Sequence, residues 1–387
     1  MTRWLFILTL LVFIAAMAAA ALTEKVDRRA VHHPIVAAPA PSPQAQRPAP
    51  LPSPLVGFTL NLHHNDDHAL YRQAVTDLAD MGFNAVQFTV PVFQTDGQAN
   101  DIRIETGPAR GPRADRLIDL IALARRRGMT VMLAPIVLFT HPRGDEWRGK
   151  LSPLDWDQWW TGYERISAFF LDIAIEHDVQ VYVIGSELLT TERQSQRWRS
   201  LIASARQRFN GHLTYASHWD RYDVPAFWDS LDFVGVNDYF DMTDGRGALA
   251  DQAALNAACS RRRDQLLTFA ARVGKPLLLT EVGFPSLPWA VERPWKYTHD
   301  GAPADHDAQA AGYSALLHAW GPLLANAPKR ALADPSASGR TTNPPAFAGV
   351  MFYEWDPYRR GESTDTHYGI RGKPAESLLR ELLEGRK

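Results

Sequence analysis

Short apolar segments alternate with longer stretches of helical spacing from residue 55 to the end of the chain. The apolar segments are rich in β-branched residues, which is typical of buried strands. We expect strands at residues 56–62, 85–90, 130–137, 179–184, 213–217, 233–236, 276–280 and 349–353. In the stretches between them, apolar residues recur every three or four positions. We expect helices at residues 68–81, 113–127, 156–178, 193–209, 225–230, 251–273, 305–326 and 374–383.

Strands that alternate with helices predict a parallel sheet, because parallel neighbours need crossover connections. Eight such units over residues 55–387 favour a single closed (β/α)8 barrel of the TIM type. A doubly wound open sheet is the structural alternative. No Gly-rich phosphate-binding fingerprint follows the first predicted strand, which weakens a nucleotide-binding interpretation.

Two segments of different composition precede the barrel. Residues 1–22 carry Arg3 and then an uninterrupted apolar run that ends in four alanines. Such a run predicts either a cleaved signal peptide or a retained N-terminal membrane anchor. Residues 23–54 are rich in Pro and Ala, and we expect a disordered linker. In either case the barrel is expected outside the cytoplasm, as a secreted, periplasmic or membrane-anchored protein.

The composition narrows the choice of partners. The net charge is −2 at pH 7, so no nucleic-acid partner is expected. The 12 Trp supply flat amphipathic rings that suit ligands with apolar faces, sugars among them. Cys259 is the only cysteine, so it cannot form an internal disulfide, and we expect a small buried thiol. A monomer without a cofactor is expected.

Two glutamates stand where predicted strands end. Glu187 follows the fourth strand after Gly185 and Ser186, and Glu281 follows the seventh strand just before a Gly/Pro turn. A buried carboxylate is costly unless something pairs with it, so two such acids suggest a paired-carboxylate active site. In a TIM barrel the carboxyl ends of all strands surround one open mouth, where active sites lie.

Paired carboxylates suit glycoside hydrolysis. One acid stays protonated and donates to the leaving oxygen, while the other stays ionised and attacks or stabilises the oxocarbenium-like centre. Their environments must therefore push the two pKa values apart. A separation near 5 Å predicts retention of configuration through a covalent intermediate, and a wider gap predicts inversion.

Motifs along the whole barrel carry a resemblance to a known family. They are IGSEL at residues 184–188, LTEVGFP at 279–285, WRG at 147–149, WW at 159–160, FWDSLDFVG at 227–235 and GIRGKP at 369–374. In this order they resemble clan A glycoside hydrolases, and most closely family 113, whose characterised members are β-mannanases. The resemblance implies a glycosidase that acts on a β-linked, mannan-like polysaccharide or oligosaccharide.

The resemblance implies Glu187 as the general acid/base and Glu281 as the nucleophile of a retaining mechanism. The alternative is that each glutamate caps a strand or pairs with an arginine. One departure concerns the residue before the acid/base, where the clan commonly has Asn to bind the sugar 2-hydroxyl. Here that residue is Ser186, which is shorter and offers fewer donors. We therefore expect Ser186 to contact substrate, with the identity of the sugar left open.

Five further residues are expected to bind substrate. Tyr239 follows the sixth strand and matches the clan tyrosine that hydrogen-bonds the nucleophile; the alternative is an aromatic packed at the rim. Trp355 follows the eighth strand and is expected to form a sugar platform, with core packing as the alternative. Trp147 and His141 follow the third strand, and Asn237 follows the sixth. The alternative for His141 is a solvent-exposed loop role.

Two other features leave rival functions open. The acid Glu354 follows the eighth strand, where it either binds substrate hydroxyls or forms a solvated ion pair. The cluster HHNDDH at residues 63–68 has zinc-ligand chemistry, although adjacent residues cannot all converge on one ion. Asp66 or Asp67 could instead cap the first helix. The rivals are a metal-dependent barrel hydrolase and a barrel that binds carbohydrate without cleaving it; we expect no metal.

Overall fold

Eight parallel strands close into one barrel in chain order. The computed structural model describes residues 51, 53–63, 67–107, 110–247, 251–325 and 346–385. Each strand pairs with the next, and the last pairs with the first. The strands are β1 Leu55–Asn61, β2 Ala85–Gln94, β3 Thr130–Phe139, β4 Val181–Ser186, β5 His212–His218, β6 Val234–Asn237, β7 Leu277–Val282 and β8 Phe347–Phe352. The predicted (β/α)8 barrel is therefore confirmed, and the open sheet is excluded.

Helices cover the outside of the barrel in the described part of the chain. They are α1 His68–Met81, α2 Ala114–Arg126, α3 Trp156–Glu176, α4 Ser195–Arg206, α5 Gln252–Val273, α6 His306–Leu324 and α7 Pro374–Glu384. Between β5 and β6 the predicted short helix is a single 3₁₀ turn, Trp228–Ser230. No helix in the described residues is both long and apolar enough to cross a bilayer.

Alternating side chains of the strands divide the core into two layers. One set fills the inside of the barrel, as period-two alternation requires. It consists of Leu55, Ala85, Met132, Ala134, Val181, Val183, Ala216, Phe233, Leu278, Ala348 and Met351. The opposite set packs against the helices in a much larger cluster that includes the buried rings of Trp159, Trp160, Trp198 and Trp320. The large rings thus lie outside the barrel, and smaller residues dominate inside.

Aspartates begin several of the helices. The Asp67 carboxylate accepts a hydrogen bond from the Ala69 N–H at 3.0 Å, which confirms Asp67 as an N-cap. Asp155, Asp251 and Asp305 cap α3, α5 and α6 in the same way. Each cap satisfies N–H groups that the first helical turn leaves without a partner, so each helix starts at a defined residue.

The N-terminal predictions fall almost entirely outside the described residues. The signal or anchor segment at residues 1–22, most of the linker at residues 23–54 and the export of the barrel stay predictions. Cys259 lies in α5 as a buried free thiol, as expected. Burial raises the pKa of this thiol, which keeps it protonated at neutral pH.

Candidate active site

The two predicted glutamates lie at the same end of the barrel. Glu187 directly follows β4 and is 6% exposed, and its N–H donates to the Ala216 carbonyl at 2.9 Å. Its φ is 51°, in the left-handed region that side chains other than Gly rarely adopt. Glu281 is 8% exposed and lies inside β7, which continues through Val282, so the strand is longer than predicted.

The strand register places several polar residues at the level of these acids. Asn237 of β6 is paired with Glu281 of β7 across a register shift, and with His218 of β5 on its other side. Ser186 of β4 is paired with Ala216 of β5, two residues before His218. The mouth is therefore lined by the carboxyl ends of β4 to β7.

Arg148 connects the two acids, and sequence reasoning did not assign it to the site. It begins a 3₁₀ turn after β3, and its Nη2 donates to Glu187 Oε2 at 2.5 Å. Burial lowers the pKa of Arg148, but the charges of Glu187 and Glu281 outweigh it and hold the pKa above its usual value. Arg148 thus faces both carboxylates as a permanent cation. The sequence feature that could have pointed to Arg148 is its place inside the WRG motif.

Glu281 has its own hydrogen-bond donor. The Tyr239 hydroxyl donates to Glu281 Oε2 at 3.1 Å, so Tyr239 lies where the sequence placed it. The ring of Tyr239 also contacts Tyr353 and Tyr368, with ring centroids 6.2 and 6.1 Å away. Three tyrosines therefore surround the strand-seven acid, and two of them were not anticipated.

The environment of Glu281 opposes a second negative charge in the mouth. Burial, and then the charge of Glu187, raise the pKa of Glu281 to about 8, against the lowering effects of Arg148 and Tyr239. Glu281 is therefore largely protonated at neutral pH when no substrate is bound. An acid and nucleophile pair at this position would need that proton on Glu187, with Glu281 ionised.

A third acid lies on the β8 side of the mouth. Asn61 at the end of β1 donates from Nδ2 to the Tyr353 hydroxyl at 2.8 Å and to Glu354 Oε2. Burial, and then the charge of Asp356, raise the pKa of Glu354 to about 7, against the hydrogen bond from Asn61. Glu354 is thus hydrogen-bonded to an amide at the rim, and its binding of substrate hydroxyls stays a prediction. Asn61 was missed by the sequence analysis.

Trp355 does not lie in the mouth, which corrects its expected role as a sugar platform. It is 2% exposed and belongs to the core layer between strands and helices. Its ring meets the ring of Phe58 edge-on at 5.5 Å, and the Arg371 guanidinium lies 5.0 Å from its centre. Both contacts are on the helix side of the barrel. Tyr353, two residues earlier, is the aromatic residue that faces the other tyrosines of the mouth.

Two predicted substrate contacts carry unused hydrogen-bonding capacity. Ser186 is 3% exposed, and its hydroxyl has no hydrogen-bond partner among the described residues. Asn237 accepts from the Thr280 hydroxyl at 2.8 Å through Oδ1, while Nδ2 finds no partner in the same part of the chain. Ser186 directly precedes Glu187, and Asn237 is paired with Glu281. Their roles in substrate binding stay predictions.

Trp147 contacts Arg148 of the site, whereas His141 is an exposed loop residue whose role in substrate binding stays a prediction. The Trp147 ring lies 5.8 Å from the Arg148 guanidinium and 5.5 Å from the ring of His218. A Cβ at Gly149 would come within 2.4 Å of this ring, so the glycine of the WRG motif makes room for it. His141 is exposed, and its ring contacts Thr140 at 3.0 Å.

The acidic and histidine cluster after β1 does not form a metal centre in the part that the structure describes. Residues 64–66 lie outside that part. Asp67 caps α1, and His68 Nε2 pairs with Asp119 at 2.8 Å. Across the described ranges, no three His, Cys, Asp or Glu side chains are grouped so that they could hold a metal ion.

Comparisons with known proteins agree with this geometry. The family model of Glycoside Hydrolase Family 113 matches residues 63–322. A family 113 β-mannanase from Alicyclobacillus acidocaldarius, solved in complex with ManMIm, is 24% identical with a TM-score of 0.69, over 86% of this chain and 98% of that chain. A second family 113 β-1,4-mannanase is 20% identical with a TM-score of 0.70, over 86% and 100% of the two chains.

The barrel is also similar to more distant enzymes. A hyperthermostable endo-1,4-β-D-mannanase from Thermotoga petrophila is 12% identical with a TM-score of 0.52, over 86% of this chain and 99% of that chain. A search of curated proteins finds no match. The family match spans well over half of the chain and includes both glutamates and Arg148. The resemblance inferred from the motifs is thereby confirmed: this chain belongs to glycoside hydrolase family 113 and is a glycoside hydrolase.

Proposed function

We propose that this glycoside hydrolase cleaves β-linked mannan-type polysaccharide or oligosaccharide with retention of configuration. Glu187 acts as the general acid/base and Glu281 as the nucleophile. The observation that carries the proposal is that one cation, Arg148, faces two buried carboxylates at the ends of β4 and β7. The β-mannanases among the similar structures support the choice of sugar.

The two acids differ in their partners, and this supports different roles. Glu281 accepts from the Tyr239 hydroxyl, which fixes one of its oxygens and leaves the other free to attack the anomeric carbon. Glu187 itself has a left-handed backbone conformation at the end of its strand. This conformation sets the direction of its carboxyl group at the rim. Strained backbone of this kind persists where surrounding structure holds it, and it clusters at active sites.

The proposed reaction has two steps. In the first, Glu187 donates its proton to the glycosidic oxygen while Glu281 attacks the anomeric carbon, so the leaving group departs and a glycosyl ester forms. In the second, Glu187 takes a proton from water, which then attacks the ester and releases the sugar. Positive charge that develops on the sugar favours the ionised form of Glu281, and Arg148 offsets the excess negative charge of the mouth.

Replacing Glu281 by Ala removes the proposed nucleophile. We expect kcat on β-1,4-mannan to fall by about four orders of magnitude, because covalent catalysis is lost. Added azide should partly restore turnover of an activated aryl mannoside and yield a glycosyl azide of inverted configuration. The exposed Glu164→Ala on α3 is the matched control and should keep wild-type rates. Near wild-type turnover by a folded Glu281→Ala variant would show that the nucleophile assignment is wrong.

Replacing Glu187 by Ala separates proton donation from the other steps. An aryl glycoside with an acidic phenol needs little proton donation, whereas mannan has a poor leaving group. We expect the first, glycosylation step to slow far more on mannan than on the aryl glycoside, measured as kcat/KM for each. Equal losses on both substrates would count against the acid role of Glu187.

Replacing Glu281 by Gln should stabilise the fold in a pH-dependent way. Below about pH 4.5 the glutamate is protonated in both the folded and unfolded states. Above that pH the unfolded state ionises first, because burial raises the folded pKa to about 8. Stability is therefore lost as the pH rises from about 4.5 to about 8 in the wild type. The Glu281→Gln variant has no carboxyl group at this position and so does not lose stability over this pH range.

The measurement is Tm against pH for wild type, Glu281→Gln and the exposed control Glu164→Gln. We expect the Tm advantage of Glu281→Gln to grow between pH 5 and pH 8 and to reach about 2 °C or more. The control should show no such growth. An advantage that is constant over this range would contradict a raised pKa at Glu281.

A further inference from the structure

A row of aromatic rings leads from the acid/base outward over the β5 and β7 loops. The ring of Trp147 lies beside Arg148, which contacts Glu187. His218 follows at 5.5 Å from Trp147, and Trp219 at 5.6 Å from His218. Trp219 then stacks on Trp295 at 5.2 Å with an interplanar angle of 18°. We call Trp147, His218, Trp219 and Trp295 the aromatic track.

The track is accessible, unlike the large rings of the core. Trp295 is 41% exposed, and Trp147 and Trp219 are partly exposed. By contrast, Trp159, Trp160, Trp198 and Trp320 are almost fully buried. Flat exposed indoles present an apolar surface at little cost in side-chain entropy, which suits a ligand with apolar faces. Core packing therefore does not explain the stacked pair Trp219 and Trp295.

The loop that carries Trp219 is anchored to the carboxyl ends of β6 and β7. The Trp219 carbonyl accepts from Arg262 Nη2 at 2.6 Å. Arg262, from α5, also pairs with the buried Asp238 at 2.8 Å. Asp238 in turn donates its N–H to the Glu281 carbonyl at 2.7 Å. The position of Trp219 is thus tied to the backbone of Glu281.

The loop that carries Trp295 is held just as closely. Trp289 donates from Nε1 to the Lys296 carbonyl at 3.0 Å, and the Lys296 ammonium lies 4.8 Å from its ring centre. The Tyr368 hydroxyl donates to the Pro294 carbonyl. These contacts hold the residues on both sides of Trp295. A ligand would therefore meet a preformed surface and would lose little free energy in ordering it.

We propose that the aromatic track binds the leaving-group end of a β-linked oligosaccharide, over more than one sugar residue. This inference rests on the proposed function. The track starts beside Arg148 and Glu187, and the proposed acid donates its proton to the leaving oxygen. Around Glu281 itself, the mouth is lined instead by Tyr239, Tyr353 and Tyr368. Sugar residues beyond the leaving oxygen therefore extend along the indoles.

The kinetic test uses the full chain with Trp295→Ala and Trp219→Ala. The matched control is Phe169→Ala, which removes a ring that is 40% exposed on the helical surface of α3. Substrates are mannobiose to mannohexaose and an aryl β-mannoside, which has no sugar on the leaving side. We expect kcat/KM on mannohexaose to fall about tenfold in each track variant. The aryl mannoside and the control variant should keep wild-type values.

A binding measurement separates failure of the track from failure of the proposed function. Calorimetry with mannohexaose compares Glu281→Gln with the double variants Glu281→Gln/Trp295→Ala and Glu281→Gln/Phe169→Ala. We expect Kd to rise about tenfold only with Trp295→Ala. Wild-type cleavage together with unchanged kcat/KM and Kd in the track variants would overturn the track and leave the function intact. If the wild type cleaves no mannooligosaccharide, the proposed function fails. In that case equal Kd values for Glu281→Gln and Glu281→Gln/Trp295→Ala, or no binding by either, would overturn the track as well.

Discussion

The mouth of this barrel depends on one guanidinium placed against two buried carboxylates. Burying a single charge costs several kcal/mol, and a second like charge nearby adds repulsion. Arg148 offsets part of that cost through its contact with Glu187 at 2.5 Å and through its charge facing Glu281. One cation for two acids leaves the pair short of full compensation, so the pKa of Glu281 stays raised. For Glu281 to act as the nucleophile, its proton has to leave it before the attack.

The closed barrel brings together residues that are far apart in the sequence. Glu187 and Glu281 are separated by more than ninety residues, yet β4 and β7 end at the same rim. The supporting groups come from still other elements: Arg148 from the loop after β3, Tyr239 from the end of β6 and Asn61 from β1. Replacing any one loop changes the substrate contacts without changing the acids, which is why the fold hosts many specificities.

The local sequence pattern was enough to predict the barrel and the positions of both acids. Apolar strand segments and the helices that connect them can each be recognised from a short stretch of sequence. The directions of individual side chains were harder to predict from the sequence. Tyr353 and Trp355 are two residues apart after the same strand. Only the packing of Trp355 between Phe58 and Arg371 shows that the ring of Trp355 lies outside the mouth. Arg148 and Asn61 could not be assigned, since their partners are distant in sequence and a lone Arg or Asn carries no periodic signal. The end of β7 was missed because pairing with β8 resumes at Val282, past Glu281, and depends on contacts with a distant strand.

The most direct test of the account is to trap the covalent intermediate. A mannosyl fluoride bearing fluorine at carbon 2 destabilises the transition states of both steps, and its reactive leaving group lets the first step proceed while the second stalls. Peptide mass spectrometry of the inactivated enzyme then locates the sugar. We expect one fluoromannosyl group attached to Glu281, with none on Glu187 or Glu354. An adduct on another residue, or inverted product released without any adduct, would contradict it.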